Sequence, residues 1–257
     1  MNLIEAVNPS LPARIAIVGA GGKTTALFQL ARQVKGMVWV TTTTHLGTDQ
    51  VVFADRHVIL HSVEEIEKPQ LDGPKVTLIT GAFTADDRVS GLDAEALKKI
   101  LRVSERKKIS IILEADGSRS VPLKAPADHE PAIPDWVDTV IVVAGLSVLG
   151  KPFTSQWVYR PDHFGQVTTL KAGQPLTMES ICQMMVHPAG GLKNIPRGAQ
   201  RIVLFNQADT VEIRSEVRKW VSKLLEGGFD KVISGSLGKD PDHLERYSKG
   251  PNDLFPV

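Results

Sequence analysis

An α/β fold, with a mainly parallel sheet and helices on both faces, is what this 257-residue sequence predicts, on three observations. Short β-branched apolar runs alternate along the chain with segments whose apolar residues recur at helical spacing. The first of these runs, Ile15 to Val18, empties into glycines and then Lys23, Thr24 and Thr25, where a helix should begin. Chemistry-bearing side chains also gather where later runs end: Thr41 to His45, Glu114 with Asp116, and Asn206 with Asp209. In open α/β sheets that carboxyl edge is where ligands bind.

Residues 1–13 carry Pro9 and Pro12 and read as a lead-in, helical around Leu3 to Val7. Arg14 to Thr25, RIAIVGAGGKTT, has the grammar of a phosphate-binding loop. Gly19, Ala20, Gly21 and Gly22 let successive N–H groups converge on an anion, and the helix start at Lys23–Thr25 adds partial positive charge. Lys23 can reach β/γ-phosphates and the Thr24 hydroxyl can ligate Mg²⁺. Ile17 stands where the common G-x-x-x-x-G-K-[ST] motif has its first glycine. The remaining G-x-x-G-K-T-T resembles the shorter loop of Mur-ligase nucleotide-binding domains. The expected fold is therefore P-loop NTPase-like, with Mg²⁺ and ATP or GTP as cofactors.

Leu27, Leu30, Ala31 and Val34 continue a helix that Gly36 stops. The strand from Met37 to Val40 ends in Thr41, Thr42, Thr43 and Thr44, more hydroxyls than strand propensity requires, and Thr42 is expected near Mg²⁺ or the γ-phosphate. His57 and His61 share a strand face about 13 Å apart, too far for one metal ion. Val76 to Thr80 reads as a strand and Gly81 to Gly91 as a polar loop. Asp93 caps a helix whose Leu97, Ile100 and Leu101 face inward, and Arg102, Arg106, Lys107 and Lys108 compensate its C-terminal dipole.

Ile109 to Arg119, ISIILEADGSR, delivers Glu114 and Asp116 at a strand's end, as a Walker-B-type strand does. Asp116 is expected on Mg²⁺ and Glu114 on the nucleophile. Four prolines in Ser120 to Trp136 make a stiff extended loop beside that edge. It offers Lys124 for anionic substrate oxygens, His129 as a proton carrier and Glu130 to orient it.

Together VGAGGKTT, VTTTTH, LEADGSR and PLKAPADHEPAIP resemble the YqeC-like proteins, described as selenium-dependent hydroxylase accessory proteins. The resemblance covers nearly the whole chain. It implies an NTP-binding factor in maturation of a selenium-dependent molybdenum hydroxylase, with that hydroxylase as partner and an unidentified small molecule or cofactor as second ligand. Lys23, Thr24, Glu114, Asp116, Lys124, His129 and Glu130 sit in the matching motifs.

Beyond the strand from Asp138 to Ala144, residues 145–177 read as a loop able to close over substrate, and Met178 to Val186 as a helix. Arg201 to Phe205 ends in Asn206, Gln207, Ala208 and Asp209, which resembles the NKxD element of GTP-binding proteins with glutamine for lysine. There Asp209 would accept from guanine N–H donors and Asn206 would fix the loop. Thr210 caps an amphipathic helix, Lys231 to Ser234 is a strand, and the tail from Pro241 reads as a surface extension with Leu254 and Phe255 docking.

The length suits a single domain over 1–257. Thirty basic and 29 acidic residues give no charge argument for nucleic acid or a membrane surface. The lone Cys182 and the absence of a signal-peptide pattern point to the cytoplasm. The chemistry expected is NTP hydrolysis or phosphoryl transfer. An ATP-dependent ligase or kinase and a nucleotide-gated delivery protein remain as alternatives.

Overall fold

A computed structural model describes residues 1–68, 73–84 and 86–249. Leu254 and Phe255, expected to dock, lie outside the described residues. The first half of the chain runs through α1 (Leu3–Val7), β1 (Arg14–Gly19), α2 (Lys23–Gln33), β2 (Val38–Thr42), β3 (His45–Gly47) and a 3-10 turn, Thr48–Phe53. It continues with β4 (Arg56–Ile59), β5 (Val76–Thr80), β6 (Phe83–Thr84), β7 (Arg88–Ser90), α3 (Ala94–Lys107) and β8 (Ser110–Glu114). The second half carries β9 (Leu123–Lys124), β10 (Thr139–Gly145), β11 (Val158–Tyr159), α4 (Pro161–Thr168), α5 (Met178–Val186) and β12 (Gln200–Asn206). It closes with α6 (Val211–Glu226), β13 (Lys231–Ser236) and β14 (Asp240–Ser248).

The central sheet has nine strands in the order β14-β13-β12-β10-β1-β8-β2-β5-β4, and every pairing is parallel except β13 with β14. The period-2 alternation of a strand sends successive side chains to opposite faces. In β1, Ala16 and Val18 join the core under α3, α4, α5 and α6, while Ile15 and Ile17 join the one under α1 and α2. Both faces are covered, which is why the inner strands are apolar almost without interruption. The mixed α/β architecture with a mainly parallel sheet is as the sequence predicts.

The register brings the carboxyl ends of the inner strands level. Ile17 stands beside Glu114, Glu114 beside Thr42, Gly19 beside Val143, and Gly145 beside Asn206. Thr42, Glu114 and Asn206 therefore stand at one edge of the sheet.

Three expectations are corrected. Residues 81–91 are not an irregular loop: β6 and β7 form a hairpin that adds β3 to make a separate three-stranded sheet. Strands of two or three residues carry too little alternation to be read from sequence. The chain from Pro241 is not a loose extension through 249, because β14 pairs with β13 and buries Leu244 and Tyr247. Residues 145–177 are a packed segment, in which β11 pairs with β9 and Phe153, Val158, Phe164 and Leu176 are buried. Phe153 and Phe164 place their rings 5.5 Å apart.

The packed state of 145–177 has a stability consequence. Phe164→Ala, at a fully buried position, should cost about 3–5 kcal/mol in equilibrium unfolding. A change under about 0.5 kcal/mol, as for a solvated loop, would contradict the packing described.

Candidate active site

The site begins with backbone geometry. Gly21 has φ +82° and Gly22 +125°, a region closed to most L side chains. A Cβ on Gly21 would lie 2.4 Å from the Gly145 nitrogen, and one on Gly22 would lie 2.1 Å from Asn206 Nδ2. The glycines thus let the β1–α2 turn pass against the ends of β10 and β12. Asn206 holds it there, donating from Nδ2 to the Gly21 carbonyl (2.8 Å) while its Oδ1 accepts from the Leu237 N–H (2.9 Å). Gly22 is the N-cap of α2 and has no capping side chain, so the first-turn N–H groups at Lys23–Thr25 face the loop.

Lys23 is almost completely buried. Its Nζ donates to the Gly19 carbonyl at 2.9 Å and lies 3.5 Å from Glu114 Oε1 and 3.4 Å from Asp116 Oδ1. Burial alone would lower its affinity for a proton, but the two carboxylates override it and raise the pKa. Glu114 goes the other way from an ordinary ion pair. Its desolvation, reinforced by the neighbouring Asp116 charge, outweighs the attraction of the lysine it shares and raises its pKa. Glu114 Oε2 is buried with no hydrogen-bond partner.

Asp116 accepts from the Gly19 N–H with both oxygens, at 3.2 and 3.0 Å, and pairs with Lys124 Nζ at 2.9 Å. Lys124 in turn donates to Glu130 Oε2 (2.8 Å) and to the Gly117 carbonyl (2.6 Å). Arg160 closes the chain with two hydrogen bonds to Glu130, at 2.6 and 3.2 Å. Lys23, Lys124 and Arg160 thus alternate with Glu114, Asp116 and Glu130 in a network of balanced formal charge. Beside it Tyr159 carries Arg160 at 4.3 Å and Arg119 at 5.4 Å from its ring centroid.

The open face of this cluster is a cleft of about 620 Å³. Its walls include Gly21–Thr25, Glu114, Arg119 and Tyr159, with Arg88 of the small sheet across from them. Thr24 and Thr25 therefore line the cleft, whereas Thr42 is buried. The Thr42 hydroxyl donates to the Glu114 carbonyl (2.9 Å) and accepts from the Thr44 N–H (3.0 Å), so it braces the carboxylate strand. His129 is exposed and lies outside the cleft lining, and Glu130 is turned to Lys124 and Arg160, not to the imidazole. Asp209 pairs with Lys239, which together with Ser236 holds its carboxyl below the usual range.

Arg160 and Tyr159 carry no role in the sequence reading, because the two-residue pairing of β9 with β11 that delivers them leaves no periodic signal. The prolines of 120–136 announce a rigid segment but not which side chains it turns inward.

Glu130 links the network to stability. Burial would raise its pKa, but hydrogen bonds from Arg160 and Lys124 hold it at about 2, below its ordinary 4.5. A carboxyl depressed on folding stabilises above its unfolded pKa and loses that contribution as pH falls through the folded value. Wild-type stability should therefore drop between pH 4.5 and about 2 by an increment that Glu130→Gln lacks, measured by urea unfolding across that window.

No solved structure matches the chain. Among curated proteins it is 32% identical over 245 residues, covering 92% of each chain, to an Escherichia coli K12 protein described as "Uncharacterized protein YqeC". Residues 15–162, which hold the glycine turn, both strand-end carboxylates, the proline-rich loop and Arg160, match the family described as YqeC protein. The chain belongs to the YqeC family.

Proposed function

We propose that this protein binds a Mg²⁺–nucleoside triphosphate at Gly19–Thr25 and hydrolyses it or transfers its terminal phosphoryl group. The observation that carries this reading is a lysine at the first turn of α2, held between two buried carboxylates at the mouth of a glycine turn. On binding, Lys23 would exchange Glu114 and Asp116 for β/γ-phosphate oxygens, and the first-turn N–H groups would receive the rest of the phosphate chain. The donor set suits Mg²⁺: Thr24, on the cleft wall, offers a hydroxyl, and Asp116 offers hard carboxylate oxygens. Among the described residues no group of three or more His, Cys, Asp or Glu side chains is arranged for a metal. Phosphate and water oxygens would complete the shell, as is usual for this ion. When bound, Mg²⁺ supplies charge neutralisation at the phosphate oxygens.

Glu114, with its raised proton affinity, is placed to take a hydrogen bond from the attacking hydroxyl or water. Lys124 and Glu130 are paired with each other, so their role is to fix Asp116 and the wall at Tyr159, not to exchange protons with substrate. Arg88 and Arg119 line the rest of the cleft, and that width favours an acceptor beside the triphosphate as a second reading, a kinase or ligase. Phosphate release from NTP alone supports hydrolysis, whereas dependence on an added acceptor supports transfer. The resemblance carried by VGAGGKTT, LEADGSR and PLKAPADHEPAIP is the ground for proposing an accessory role for a selenium-dependent molybdenum hydroxylase, and turnover that requires that partner would mark a nucleotide-gated docking protein. No described helix is long and apolar enough to cross a membrane.

Single-turnover assays with Mg²⁺ and ATP or GTP test the reading. Lys23→Ala and Thr24→Val should each lower the rate by about 100-fold or more. Unchanged binding and turnover in both would overturn it. Glu114→Gln should lower turnover about 100-fold.

A further inference from the structure

The phosphate cleft does not end at α2. A second groove of about 600 Å³ shares Thr24, Thr25, Asp49 and Gln50 with it and runs between α2 and the Thr48–Phe53 turn. Its far end is clamped by Arg32, which donates to the Phe53 carbonyl at 3.0 Å and pairs with Asp55. One wall is aromatic. Phe28 is buried and supports Phe53 at a ring distance of 5.4 Å, while Phe53 remains 52% exposed and Val52 beside it 77%. The two rings are tilted by 49°, and the exposed half of Phe53 is available for stacking.

Two amide oxygens on this groove, Gln29 Oε1 and Gln50 Oε1, are shielded from solvent and have no hydrogen-bond donor. The Gln29 orientation is fixed by its Nε2, which donates to the Leu237 carbonyl at 2.6 Å. A buried acceptor left without a donor is costly, and Gln50 lines both this groove and the phosphate cleft. Phe28 and Gln29 lie one helical turn beyond Thr24 and Thr25, about 5.4 Å along α2, so the groove leads directly away from the phosphate turn. By contrast Asp209, the candidate base acceptor in the NKxD-like element, is already neutralised by Lys239 and hydrogen-bonded to Ser236.

Resting on the triphosphate reading above, we propose that the nucleobase seats in the α2 groove, as an amino-bearing purine stacked on Phe53 whose amino group draws the Gln50 amide into the groove and donates to its Oε1. The Asn206–Asp209 element then holds the glycine turn and does not read the base. Specificity arises from a donor that satisfies Gln50 Oε1, so a base lacking an amino group leaves it unpaired.

Calorimetric titration with Mg²⁺ and ATP, GTP, ITP or inorganic tripolyphosphate tests this. The wild type should bind ATP or GTP about tenfold or more tighter than ITP and tripolyphosphate. Phe53→Ala and Gln50→Leu should each lose about tenfold in affinity for the preferred nucleotide while keeping tripolyphosphate affinity within about twofold. Nucleotide binding unchanged in both variants, or a loss that falls on Asp209→Asn instead, would overturn the assignment. An equal loss of tripolyphosphate affinity would place these residues at the phosphates and overturn it as well. If neither nucleotide nor tripolyphosphate binds in a Lys23-dependent way, the triphosphate reading itself fails and this assignment with it.

Discussion

One buried cation organises the edge of this sheet. Lys23 sits between Glu114 and Asp116, and each of the three depends on the other two. An uncompensated charge at this depth would be expensive, on the order of several kcal/mol, so the lysine fixes where both carboxylates can stand. The carboxylates in turn fix the glycine turn, because Asp116 accepts from the Gly19 N–H and Lys23 donates back to the Gly19 carbonyl. Such a site is held in place before any ligand arrives, and under the proposed function it would exchange one set of oxygens for another.

From that pair of carboxylates the constraint spreads outward. Asp116 hands it to Lys124, Lys124 to Glu130, and Glu130 to Arg160 at the start of α4. The proline-rich loop and the packed 145–177 segment are therefore part of one electrostatic structure with the glycine turn. This accounts for why a stiff loop follows the carboxylate strand: a flexible one would pay a larger entropy cost to hold Lys124 and Glu130 in register with Asp116.

Much of this is legible in the sequence because it is local. The apolar runs, the glycines at the β1–α2 turn, Asp93 and Thr210 as helix caps, and the strand-end carboxylates are each written within a few adjacent residues. What the sequence conceals is non-local. The two-residue pairing of β9 with β11 brings Arg160 to Glu130 across 30 positions, and nothing near Glu130 announces that its partner is not His129. The hairpin of β6 and β7 is likewise too short for a periodic signal, yet it places Arg88 in the cleft. Thr42 shows a different limit: a hydroxyl at a strand end is visible, but whether it points to a ligand or braces a neighbouring carbonyl is decided by β8 beside it.

The central claim is that Lys23 is stored on Glu114 and Asp116 and moves to phosphate oxygens. The most direct measurement is a crystal structure with Mg²⁺ and a non-hydrolysable nucleoside triphosphate analogue. The account predicts triphosphate in the Gly19–Thr25 turn, with Lys23 Nζ at hydrogen-bond distance, about 3 Å, from β/γ oxygens and withdrawn from Glu114. An analogue bound elsewhere, with Lys23 still seated between the two carboxylates, would contradict it.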